Sequence, residues 1–103
     1  MKSQPYNKKY YQSIETGSAD SAAEVIPVVQ EFLSPASVVD IGCGTGAWLA
    51  EWKKKGVTDI LGIDNNHIRP EQLLIEKEKF QIADLERKIS LSRKFELVMS
   101  LEV

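Results

Sequence analysis

Apolar residues along the chain change their spacing several times, and each spacing predicts a different element. Between residues 18 and 33 they recur at helical intervals, which predicts a helix with Ser18 as its N-cap. Pro27 either kinks this helix or begins it, because proline is tolerated without distortion only in the first turn. Further helical spacing predicts short helices over 47–55 and 70–75. Short apolar runs bounded by polar residues predict four strands, at 37–41, 58–63, 79–83 and 95–101.

The stretch before the first predicted helix differs from the rest of the chain. Residues 1–17 are polar and show no clear period, which predicts an irregular N-terminal arm. From residue 18 to 103, strands alternate with helical segments, an order typical of α/β units built on a parallel sheet. Ligands of such sheets bind at the carboxyl ends of the strands, so the residues just after each strand are candidates for a site.

Composition narrows the class of protein without identifying it. The chain has 103 residues, of which 43% are hydrophobic and 27% are charged, as in ordinary globular domains. Its formal net charge of −2 lacks the basic character of proteins that bind nucleic acid or anionic membranes. No apolar run approaches the roughly 20 residues that cross a bilayer, and a single cysteine suits a reducing compartment. A cytoplasmic protein is therefore expected.

A glycine-rich turn follows the first predicted strand. Gly42, Gly44 and Gly46 alternate with small residues, and glycine lets the backbone adopt positive φ and approach a ligand closely. The spacing differs from the G-x-G-x-x-G turn that places a helix N-terminus against a pyrophosphate. Asp40 precedes the turn, where a carboxylate would oppose a phosphate. The pattern therefore favours a ligand that carries positive charge, such as an amino group or a sulfonium.

Two further carboxylates follow the next two predicted strands. Asp64 ends the second strand, at a position where a carboxylate can accept hydrogen bonds from ribose hydroxyls. Asp84 and Leu85 follow the third strand, where a carboxylate can accept from an adenine amino group while an apolar side chain packs on the ring. The structural alternatives are that Asp64 forms a turn and that Asp84 caps the turn after it.

Taken together, these motifs resemble a known family. Segment 38–46 is similar to the first motif of class I S-adenosylmethionine-dependent methyltransferases, and segments 62–64, 83–85 and 95–103 are similar to the next three, in the same order. The resemblance covers roughly residues 20–103. It implies a Rossmann-like α/β fold with flanking helices, of which this chain supplies about four strands of the family's seven-stranded sheet.

The resemblance also implies S-adenosylmethionine as the cofactor and gives each motif a role. The glycine turn would contact the methionyl part through backbone groups, with Asp40 supporting the turn and the amino group. Asp64 would hold the ribose hydroxyls. Asp84 would bind the adenine amino group, with Leu85 against the ring.

The last motif lies at the end of the fourth predicted strand, where the resemblance places Ser100 and Leu101 beside the methionyl group and the sulfonium. Residues 18–103 are accordingly expected to be the cofactor-binding half of a methyltransferase domain, cut at strand four and inactive alone. Its methyl acceptor would be a small molecule or a macromolecule. An exposed fourth strand would favour self-association. The alternatives are a non-catalytic cofactor-binding or interaction fragment and an NAD(P)-dependent oxidoreductase.

Overall fold

A computed structural model describes residues 8–65, 67–87 and 89–100, with side chains from residue 19 onward. In chain order the described elements are α1 (Lys8–Gln30), β1 (Ser37–Ile41), α2 (Ala47–Lys54), β2 (Asp59–Asp64), the 3₁₀ helices Pro70–Gln72 and Lys77–Lys79, β3 (Phe80–Ile82) and β4 (Leu97–Met99). The four strands are parallel and follow the order β3-β2-β1-β4 across the sheet. This Rossmann-like α/β arrangement confirms the predicted fold class.

All four predicted strands are present, and β1 has the predicted bounds. β3 and β4 are shorter than predicted, with three residues each. The helix predicted over 70–75 is only partly formed, because the 3₁₀ helix ends at Gln72 and Leu73 is extended. The strand register places Asp40 between Gly62 on one side and Met99 on the other. The end of β1 therefore lies inside the sheet, flanked on both sides.

The first helix begins earlier than the sequence predicts. α1 begins at Lys8, so Ser18 is not its N-cap and the part of the predicted arm from residue 8 to 17 is helical. This stretch lacks an apolar period and contains only four good helix formers, Lys8, Lys9, Gln12 and Glu15. It can nevertheless extend the helix formed by residues 18–30, because propagating a helix costs less than nucleating one. Pro27 lies inside α1 rather than at its first position. No helix in the described part of the chain is long and apolar enough to cross a membrane.

The hydrophobic core lies between the two helices and one face of the sheet. Trp52 of α2 is buried at its centre, and its indole Nε1 donates to Met99 Sδ at 3.3 Å. Val38 and Ile60 are register partners on the neighbouring strands β1 and β2, so their side chains point to the same face of the sheet, toward the helices. The core residues buried in this cluster are Ala22, Ile26, Val38, Cys43, Leu49, Trp52, Ile60 and Ile75. This packing fixes α2, and with it the turn that precedes α2.

An ion pair ties the segment before β4 to the amino end of β2. Arg93 Nη1 and Nη2 donate to the two carboxylate oxygens of Asp59 at 2.8 and 2.7 Å. The guanidinium also lies over the Phe95 ring, 4.1 Å from its centroid. The hydrogen bonds from Arg93 lower the pKa of Asp59 below its ordinary value and raise the pKa of Arg93. The pair lies at the amino edge of the sheet, opposite the predicted site.

The fourth strand gives a prediction about self-association. β4 pairs with β1, and among the described residues no strand pairs with its other side. Val98 on this edge is 55% exposed, and a charged residue on an edge strand opposes strand pairing between chains. We expect the chain to self-associate, and Val98→Lys to weaken the association at least about tenfold.

Sedimentation velocity over a concentration series would measure this effect. Val25→Lys is the matched control, because Val25 is 44% exposed and lies on α1 rather than on a strand. A monomeric wild-type chain at every concentration, or equal effects of the two lysines, would refute pairing through β4.

Candidate functional site

The glycine turn joins β1 to α2 and lies on the end of β2. Gly42, Gly44 and Gly46 have φ angles of 83°, 59° and 92°, a region that residues with a side chain rarely adopt. The N–H groups of Gly42 and Cys43 both donate to the Ile63 carbonyl, at 2.7 and 3.2 Å. The turn closes with a bond of 3.0 Å from the Gly46 N–H to the Cys43 carbonyl. Its three glycines are therefore required by the backbone conformation.

Asp64 is in direct contact with this turn. Its Oδ2 accepts a hydrogen bond of 2.7 Å from the Gly44 N–H, and its Oδ1 accepts one of 2.7 Å from the Asn65 N–H. The two strongest candidates from the sequence, which are 20 residues apart, are thus joined at the carboxyl edge. An ionised carboxylate has about four acceptor positions, so each oxygen can accept a further hydrogen bond.

The two sides of the turn differ in the space around them. A Cβ atom placed on Gly44 would meet no atom within 4 Å, so this side of the turn is open. A Cβ atom on Gly46 would lie 3.0 Å from Ile75 Cγ1, so that side is packed. A ligand can approach the turn at Gly44, beside the Asp64 carboxylate.

Asp40 lies beneath the turn in the middle of the sheet. It is 3% exposed, and its register neighbours are Gly62 and Met99. A carboxyl group buried two residues before the turn suits a cationic group on a ligand better than a phosphate. Its support of the turn and of an amino group stays a prediction.

Asp84 and the residue after it lie at the carboxyl end of β3. A bond of 2.8 Å from the Ala83 N–H to the Asp64 carbonyl holds this end against β2. The Asp84 carboxylate accepts from the Glu86 N–H at 3.0 Å and from Arg87 Nε at 3.3 Å. This is the geometry of the structural alternative, a cap on the following turn. The adenine contacts of Asp84 and Leu85 stay predictions.

The last candidates lie after β4. Ser100 directly follows the strand and is exposed. Leu101 lies outside the described residues. Their placement beside the methionyl group and the sulfonium stays a prediction.

Ile75 also belongs to this site, although no motif around it in the sequence predicts that. It is 6% exposed, and its side chain lies against the packed side of the glycine turn. The preceding Leu74 N–H donates to the Thr45 carbonyl at 2.8 Å, so the two segments are also joined through the backbone. The one sequence signal is Gly62 within the apolar segment 60–63 of this strand, since a glycine inside a strand often marks a close approach of another group.

The close packing around Gly62 gives a testable prediction. A Cβ atom at Gly62 would lie 2.6 Å from Cys43 Sγ and 3.1 Å from Leu49 Cδ1. Gly62→Ala should therefore destabilise the fold by about 1–3 kcal/mol through overpacking. In Cys43→Ala/Gly62→Ala the sulfur is absent, so the double variant should be more stable than the sum of the single losses predicts. Urea unfolding of the four proteins measures this, and strictly additive losses would contradict the clash.

Comparisons with known proteins identify the family of the chain. Residues 16–103 match the family model described as "Methyltransferase domain". The chain is also similar to the ribosomal RNA large subunit methyltransferase E of Caulobacter sp. (strain K31), with 38% identity over 47 residues. The aligned segment is 46% of this chain and spans only 21% of that enzyme. No solved structure matches the chain significantly. Because the family model covers most of its length, the chain belongs to the methyltransferase domain family, which confirms its resemblance to class I S-adenosylmethionine-dependent methyltransferases.

Proposed function

We propose that this chain binds S-adenosylmethionine at the carboxyl edge of its sheet and serves methyl transfer. The observation that carries the proposal is the contact between the Gly44 N–H and the Asp64 carboxylate, at 2.7 Å, on the open side of the turn. This contact places backbone that a ligand can approach closely next to a carboxylate that can accept hydrogen bonds from hydroxyl groups. Family membership supports methyl transfer as the reaction.

The chemistry of the available groups fits this cofactor. The cofactor carries an amino group, a carboxylate, a sulfonium and a ribose with two hydroxyls, so it is positively charged overall and needs acceptors for its ribose and amino group. Asp64 and the buried Asp40 supply carboxyl groups, and the turn offers backbone groups at its open side. These groups suit a positively charged nucleoside better than the pyrophosphate of a dinucleotide.

When bound, the cofactor supplies an electrophilic methyl group on its sulfonium. Asp64 would hold the ribose and thereby fix the distance of the sulfonium from the sheet. The turn would hold the methionyl end, with Asp40 beneath it. These contacts orient the methyl group for in-line attack by a nucleophilic atom of the acceptor, so the chain contributes mainly through proximity and orientation.

Isothermal titration calorimetry with S-adenosylhomocysteine tests the proposal, with S-adenosylmethionine and NAD as parallel titrants. We expect saturable binding of the first two and none of NAD. A folded chain, verified by circular dichroism, that binds neither sulfur compound would overturn the proposal. Binding of NAD alone would favour the oxidoreductase alternative, and binding without methyl transfer by the whole protein would favour the non-catalytic one.

A further inference from the structure

Residues 73–76, which we call the strap, cross the packed side of the glycine turn. The Leu74 N–H donates to the Thr45 carbonyl at 2.8 Å. Glu76 Oε1 lies 3.7 Å from Lys53 Nζ, an exposed ion pair with the last turn of α2. Between these two contacts, Ile75 is buried with 6% exposure. The strap is thus attached to the turn and to the helix that follows it.

The Ile75 side chain fills the space that two glycines leave. Its Cγ1, Cδ1 and Cγ2 would lie 3.0–3.2 Å from a Cβ atom on Gly46, and its Cδ1 3.2 Å from one on Gly62. Gly46 is the last residue of the turn and the N-cap of α2, with φ of 92°. Ile75 therefore packs against Gly46, the residue that joins the turn to α2.

We propose that Ile75 is a positioning residue that holds the glycine turn in its binding conformation. The inference rests on the proposed function, and Ile75 acts through Gly46 rather than on the cofactor, which would approach the opposite side at Gly44. A turn with three positive-φ glycines is intrinsically free in its backbone, because glycine has the largest conformational choice. Close packing against Ile75 restricts the backbone of the turn to one conformation in the unbound protein. Ligand binding then does not have to order the turn.

Truncation of the Ile75 side chain at Cβ should therefore weaken ligand binding by more than the loss of stability explains. In Ile75→Ala we expect the dissociation constant for S-adenosylhomocysteine, measured on folded protein, to rise at least about tenfold. Ile75→Val keeps a branched side chain and should restore the constant to within about threefold. Hydrogen exchange of the Gly46 amide, which bonds within the turn, should be faster in Ile75→Ala than in the wild type.

Ile26→Ala is the matched control, because Ile26 is 1% exposed in the same core and supplies none of the atoms nearest to either glycine. It should reduce stability while leaving the dissociation constant and the Gly46 exchange rate, relative to global unfolding, unchanged. Equal effects of Ile75→Ala and Ile26→Ala on binding and exchange would overturn the inference.

The test separates this inference from the proposed function. If the folded wild type binds neither sulfur compound, the proposed function fails, while the Gly46 exchange comparison still decides whether Ile75 orders the turn. If Ile75→Ala does not fold, the same exchange comparison is made between Ile75→Leu and Ile26→Leu, because leucine keeps the volume of the side chain but has no Cγ2 to pack beside Gly46. Faster Gly46 exchange in Ile75→Leu alone supports the inference, and equal rates overturn it.

Discussion

Asp64→Ala is expected to reduce the affinity for S-adenosylhomocysteine by roughly 100-fold or more. The carboxylate would accept hydrogen bonds from two ribose hydroxyls, and bonds to a charged group contribute about 1.5–3 kcal/mol each. Their loss should raise the dissociation constant at least about 100-fold. The substitution also removes the acceptor of the Gly44 N–H, which loosens the turn itself. Calorimetric titration of the variant against the wild type measures the effect.

Asp59→Ala provides the matched control for this experiment. Asp59 and Asp64 are the first and last residues of β2, so the two carboxylates stand at opposite edges of one strand. Asp59 binds Arg93 and lies away from the turn, so its loss should affect stability and leave affinity within about twofold of the wild type. Comparable losses of affinity in the two variants would contradict a ribose-binding role for Asp64.

The central part of the fold could be predicted from the sequence because its signals are local. The β-branched run 37–41 and the glycines that follow it specify a strand and a tight turn without help from distant residues. The meeting of Gly44 and Asp64 follows from parallel pairing, since the carboxyl ends of neighbouring parallel strands share an edge. The shared edge of parallel strands thus predicts that the two motifs form one site.

The remaining features depend on information that is not local. The start of α1 at Lys8 does not follow from the sequence pattern, because an existing helix can propagate through residues that have no apolar period. From its position alone Asp84 could be a ligand acceptor or a cap; in this structure its carboxylate accepts from the Glu86 N–H and from Arg87, and its adenine contact stays a prediction. Ile75 contacts Gly46 only through tertiary packing, which no spacing in the sequence encodes.

Gly44→Ala should weaken cofactor binding as well as lower stability. At φ of 59° a side chain costs about 1–2 kcal/mol in backbone strain, but the added Cβ would meet no protein atom within 4 Å. Its methyl group would instead occupy the open side of the turn, where the cofactor is expected. We expect the dissociation constant for S-adenosylhomocysteine to rise at least about tenfold, or about 1.4 kcal/mol.

Gly56→Ala isolates this steric effect from backbone strain. Gly56 has φ of 101° and likewise no atom within 4 Å of an added Cβ, but it follows the last turn of α2, at the end remote from the glycine turn. Both alanines should lower the urea midpoint through positive-φ strain, and Gly56→Ala should bind the ligand as the wild type does. Because both variants carry such strain, a loss of affinity confined to Gly44→Ala reports the surroundings of Gly44. Equal affinities would place the cofactor elsewhere on the sheet edge, whatever the stability of the two proteins.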